Sequence, residues 1–112
     1  MKIKDWKDAD VKETAHKVDV RSLYNKDTAQ AVHILLKPGE SLLPHITPVD
    51  IFFYILEGEA TITVGEETAS IGPDHLIESP ADILHKVANN GDKVMRFLVI
   101  KAPRPLKASK IL

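Results

Sequence analysis

Pro38-Gly39-Glu40-Ser41-Leu42-Leu43-Pro44-His45-Ile46-Thr47-Pro48-Val49-Asp50-Ile51-Phe52-Phe53-Tyr54-Ile55-Leu56-Glu57-Gly58-Glu59, followed later by Pro80-Ala81-Asp82-Ile83-Leu84-His85-Lys86-Val87-Ala88-Asn89, sets two histidines in apolar, turn-punctuated surroundings. Glycine and proline are absent before Pro38 and then recur at short intervals up to Pro105. Such punctuation is what short strands joined by tight turns produce. Between the breaks the residues alternate or are β-branched. Ala60-Thr61-Ile62-Thr63-Val64 puts Ala60, Ile62 and Val64 on one face and the threonines on the other, as in a half-buried strand. Ala29 to Leu36, Ile51 to Leu56 and Val94 to Ile100 are stronger apolar runs, and Gly65-Glu66-Glu67 is placed to turn a hairpin into Thr68–Ile71. This many short strands in one small chain predict an antiparallel sandwich or barrel.

The two stretches resemble the paired motifs of the cupin superfamily. In the first motif (Gly, five residues, His, one residue, His, three or four residues, Glu, six residues, Gly), Gly39, His45 and Gly58 fall in register. In the second (Gly, five residues, Pro, one residue, Gly, two residues, His, three residues, Asn), Pro80, His85 and Asn89 fall in register. The resemblance runs from about Pro38 to Ala102. It implies an all-β double-stranded β-helix, or jelly-roll barrel, as one domain over residues 1–112, with barrel motifs at 38–102 and a C-terminal arm at 103–112.

The departures concern chemistry. Metal-binding cupins hold their ion with two histidines and a glutamate from the first motif and one histidine from the second. Here the second histidine position is Thr47 and the glutamate position is Ile51. His45 and His85 are the remaining candidate metal ligands. Two imidazoles can hold Zn, Ni, Cu, Fe or Mn, but the loss of the carboxylate and of one imidazole predicts weak binding. Asp74 and Asp82 stand at the glycine positions of the second motif, which predicts altered turns around an intact site. Candidate pocket residues are Thr47, Ile51, Phe53, Ile55, Leu76, Glu78 and Val87. Glu78 has two readings, a buried acid or base and a rim or outward-facing carboxylate. The other histidines point elsewhere: His16 to solvent, His33 to a structural role, His75 to a turn.

The resemblance spans many activities and does not choose among them. Three readings follow: a binder of a small organic ligand with a weakly held metal; a metal-dependent isomerase or dioxygenase using His45 and His85; and a non-catalytic dimeric scaffold. If Ile51, Phe53 and Ile55 face inward, then Phe52, Tyr54 and Leu56 face out. That predicts a covered outer face, either by the chain's own N-terminal segment or by the partner of a homodimer.

Composition bounds the rest. The chain has 112 residues, 44% hydrophobic and 28% charged, ordinary values for one globular domain. It has no cysteine, which excludes disulfides, thiolate metal sites and a cysteine nucleophile. The opening Met1-Lys2-Ile3-Lys4-Asp5-Trp6 lacks the apolar core of a secretory signal, so a cytoplasmic location away from membranes is expected. The net charge of −1 argues against nucleic acid, but it is a cancellation. Gly39 to Asp92 carries ten acids against Lys86 alone, and after Asp92 there are only bases. Helical signal is limited to one short turn within Asp5 to Lys17.

Overall fold

The computed structural model describes residues 1–112 and contains ten strands in two five-stranded antiparallel sheets. The first sheet runs β1 (Asp19–Lys26), β2 (Ala29–Leu36), β9 (Met95–Lys101), β4 (Ile51–Glu57), β7 (Leu76–Ser79). The second runs β10 (Lys110–Ile111), β3 (His45–Ile46), β8 (Leu84–Ala88), β5 (Ala60–Val64), β6 (Glu67–Ile71). The chain passes back and forth between the sheets, as the expected jelly roll requires. The hairpin foreseen at Gly65 joins β5 to β6, with Val64 opposite Glu67.

The period of two decides what each strand buries. Ile51, Phe53 and Ile55 of β4 and Met95, Phe97 and Val99 of β9 point between the sheets and are buried, and Ala60, Ile62 and Val87 answer from the facing sheet. Gly58 follows β4 at φ +79°, and a Cβ there would lie 2.7 Å from the Val94 carbonyl oxygen. Only glycine meets both demands.

The N-terminal segment contributes one 3-10 turn, Trp6–Asp8, capped by Asp5, whose side chain accepts from the Lys7 N–H at 2.9 Å. Arg21 of β1 anchors this turn, donating to the Lys7 and Ala9 carbonyls at 2.9 and 3.1 Å while its other nitrogens grip Asp19. The turn lays Trp6 flat on His33, ring centroids 4.2 Å apart, with Arg21 and Arg96 each 5.1 Å from the indole. His33 is thereby buried on the outer face of the first sheet, in the structural role its sequence context suggested.

Trp6 covers the β1–β2 side of that face. Phe52 and Tyr54 on β4 and Leu98 and Ile100 on β9 stay half-buried on the same side, and Leu56 sits at a bulge. Residues 103–112, expected as a C-terminal arm, do not extend away from the domain. They fold back on the barrel, where β10 pairs with β3 and the Leu112 N–H donates to the Pro44 carbonyl at 3.0 Å. β3 is short because it lies between Pro44 and Pro48, neither of which has an N–H to give to a ladder. No helix is long and apolar enough to cross a membrane.

Candidate functional site

The register of β3 against β8 sets His45 directly opposite His85. Both are buried, and their Nε2 atoms are 2.9 Å apart. Each proton can be placed from one fixed point. The Leu43 carbonyl, 2.7 Å from His45 Nδ1, can only accept, so His45 carries its proton on Nδ1. In the neutral ring His45 Nε2 is then an acceptor, and His85 Nε2–H donates to it. His85 Nδ1 in turn accepts from the Ser79 hydroxyl at 3.0 Å. Thr47 Oγ1 lies 3.2 Å from His85 Nε2 and 2.9 Å from Ser109 Oγ, which the C-terminal segment brings to the site. The result is a one-way chain from Ser79 through both imidazoles to a backbone carbonyl.

Electrostatics keep these rings neutral. Burial first, then the charges of His45, Lys101 and His16, push His85 down to about 3. Burial also lowers His45, against the Leu43 carbonyl bond, which works the other way. His16 corrects the expectation of an exposed side chain. Its Nδ1 accepts the Leu43 N–H at 2.7 Å, its ring meets His45 edge-on at 5.0 Å, and burial, followed by the charges of His45 and Lys101, lowers its pKa.

A cavity of about 200 Å³ opens beside this cluster. Its apolar walls are Val32, Ile34, Phe53 and Val99, and its polar rim includes His16, His45, Gln30, Lys101 and Ser109. Of the apolar pocket residues expected from sequence, Phe53 lines this cavity. Ile51, Ile55 and Val87 are sealed in the core. Leu76 is corrected as a pocket residue, and of the two readings of Glu78 the outward-facing one holds. β7 pairs with β4 so that Ile77 faces Phe53 and Ser79 faces Ile51, which turns Ile77 and Ser79 inward and leaves Leu76 and Glu78 exposed. Alternation counted from Leu76 takes the wrong phase there, so it misses Ser79, and Glu78 is no internal acid. At the two glycine positions of the second motif, Asp74 and Asp82 both adopt φ +63°, a left-handed backbone that aspartate tolerates better than most residues. Asn89 is structural: it donates to the Leu36 and Lys93 carbonyls at 2.9 and 2.8 Å.

Sequence reasoning misses Lys101. β9 buries every second residue, Met95, Phe97 and Val99, and Lys101 continues that inward series at the open end. The alternation carries the signal, but a lysine at a strand end reads as solvated.

The donor set tests a metal directly. The two Nε2 atoms, 2.9 Å apart, could each supply one imidazole donor to a divalent ion. Such an ion would require His85 to move its proton to Nδ1 and Ser79 to accept it, which a hydroxyl can do. The shortfall is in number. No three histidine or acidic side chains are placed to hold one ion: His16 packs beside His45 but gives its Nδ1 to the Leu43 N–H, and Asp50 is turned away to accept the Ala81 N–H at 2.8 Å. The residues do not fit a tightly held resident ion.

Comparison with known proteins agrees with the fold and the motifs. The model of the cupin domain matches residues 32–101. TT1209 from Thermus thermophilus is 31% identical, with a TM-score of 0.81 over 94% of this chain and 100% of that one. The RmlC-like cupin MJ0764 from Methanocaldococcus jannaschii, described as a double-stranded β-helix, is 26% identical with a TM-score of 0.75, covering 87% of this chain and 90% of that one. The polyketide synthase CurC of Streptomyces cyaneus is 28% identical over 81% of this chain, which spans 63% of its length. The family model covers well over half of the chain, and the chain belongs to the cupin superfamily.

Proposed function

We propose that this cupin binds a small organic ligand in the mouth of its barrel, with His45 and His85 as the polar wall and a divalent metal held only weakly. The observation that supports this reading is the closed hydrogen-bond chain from Ser79 through His85 and His45 to Leu43, next to an open cavity. The imidazoles are satisfied without an ion, and the third and fourth ligands of a firm site are missing. A ligand that prefers the native state must raise the melting temperature. A thermal-shift screen of neutral, cationic and anionic fragments should therefore give stabilising hits that perturb amide resonances of β2 and β9 around Val32 and Val99. A screen without a single hit would remove the reading. Metal analysis after desalting should find far less than one ion per chain. One equivalent that survives desalting and is lost in both His45→Ala and His85→Ala would replace it with a metal-dependent enzyme of the isomerase or dioxygenase type.

The same reading includes a homodimer through the outer face around Phe52, Tyr54 and Leu56. Leu98 and Ile100 extend that patch, Leu76 is 51% exposed beside it, and Trp6 covers only the far side. An apolar face that its own chain leaves uncovered is most simply covered by a second copy, about a two-fold axis. Sedimentation at micromolar concentration should give a dimer, and Tyr54→Lys should return the monomer. A wild-type species of 12.4 kDa alone would remove the dimer.

A further inference from the structure

Resting on the binding reading above, we infer that the barrel mouth selects a small organic carboxylate with an apolar body, and that Lys101 is the residue that recognises its charge. Lys101 lies on the inner face of β9, opposite Gln30 of β2 and Ile51 of β4, and is half-buried. No salt bridge uses it, and no carboxylate lines the cavity. A half-buried ammonium with no anionic partner is less well solvated than one in open water, and an anion entering the cavity would relieve that. The burial that lowers its pKa, together with the charge of Lys12, agrees with that position.

The neighbouring groups match the same ligand. Lys12 is a second cation at the rim. His16 receives the Leu43 N–H on Nδ1, so the neutral ring holds its proton on Nε2 and offers a donor from the cavity wall. Ser109 and Gln30 add neutral polar atoms. Charge-assisted bonds from an ammonium to a carboxylate are stronger than neutral ones. Ile34, Phe53 and Val99 give the other end of the ligand an apolar wall, which favours an organic acid over inorganic phosphate. At about 200 Å³ the space lies below the size of a drug-sized pocket, so the ligand is a small acid.

Titration calorimetry on the full chain with benzoate, benzamide, 3-methylbutanoate, 3-methylbutanamide and inorganic phosphate tests this. The acids should bind at least about tenfold more tightly than their amides and than phosphate. Lys101→Met keeps the apolar stem and removes the charge, and it should abolish the difference between acid and amide. If that variant does not fold, the acid-to-amide ratio in the wild-type protein still decides. Amides that bind as tightly as acids would overturn the carboxylate assignment and leave the binding reading standing. Phosphate that binds as tightly as benzoate would overturn the apolar body. Failure of both acids to bind would overturn the inference, while the fragment screen decides the binding reading independently. An acid preference that survives in a folded Lys101→Met protein would remove Lys101 from the role.

Discussion

Replacing Phe53 by alanine is expected to destabilise the domain by about 3–5 kcal/mol, the usual cost of removing a buried phenyl ring. Phe53 is fully buried at the centre of β4. Its ring stands edge-on to Phe97 with centroids 6.0 Å apart and edge-on to His85 at 5.5 Å. The lost ring leaves a void among Ile34, Val99 and Phe97, which strands held in two ladders cannot close. For a domain near this size, such a change lowers the melting temperature by roughly 15 °C. It also removes the wall between the cavity and His85, so the mouth deepens toward the histidine pair. A fall of less than about 5 °C in a thermal melt of Phe53→Ala would contradict this packing. Phe53→Leu should cost much less, because it keeps most of the apolar volume.

The second large effect is acid destabilisation through His33. Burial first, then the charges of Arg96 and Arg21, push its pKa down to about 4, with Asp19 working against them. The partners are visible: Arg96 donates to His33 Nε2 at 3.0 Å, Trp6 covers the ring, and Nδ1, which must carry the proton, has no partner. The folded state therefore resists taking a second proton that the unfolded chain accepts near 6.5. Stability from this neutral ring is fully present above about pH 6.5, declines as pH falls, and levels off below about 4. The slope is at most about 1.4 kcal/mol per pH unit, so roughly 3 kcal/mol is at stake across the window. Urea unfolding of His33→Phe, which keeps a flat ring under Trp6, should show a shallower decline from about pH 6.5 to about 4.5 than the wild-type protein. Parallel profiles would show that acid lability arises elsewhere, with the buried His85, held down to about 3, the next source to test.

The ordering of the site explains why some of it is legible in sequence and some is not. His45 and His85 can be read because their spacing to Gly39, Gly58, Pro80 and Asn89 is local. Thr47 is legible as a neighbour of the pair, since residues two apart in extended chain share a face. Ser79 is not, because choosing between Ser79 with Ile77 and Glu78 with Leu76 requires the register of β7 on β4. His16 looks exposed because its neighbours in sequence are charged. It is brought to Leu43 and His45 by a contact spanning 27 residues, which no local pattern encodes. Ser109 is similar: it reaches Thr47 only because β10 returns to β3.

From the sequence alone came the all-β architecture, the cupin motifs, the inward series Ile51, Phe53 and Ile55, and the loss of two metal ligands at Thr47 and Ile51. These rest on alternation and fixed spacing, which are properties of the backbone over a few residues. Only the tertiary structure decided which phase of β7 faces in, that the tail closes over its own barrel, and that Lys101 ends an inward row with no acid to meet it. Those outcomes depend on strand register and on segments distant in sequence, where one residue of shift exchanges the inside for the outside.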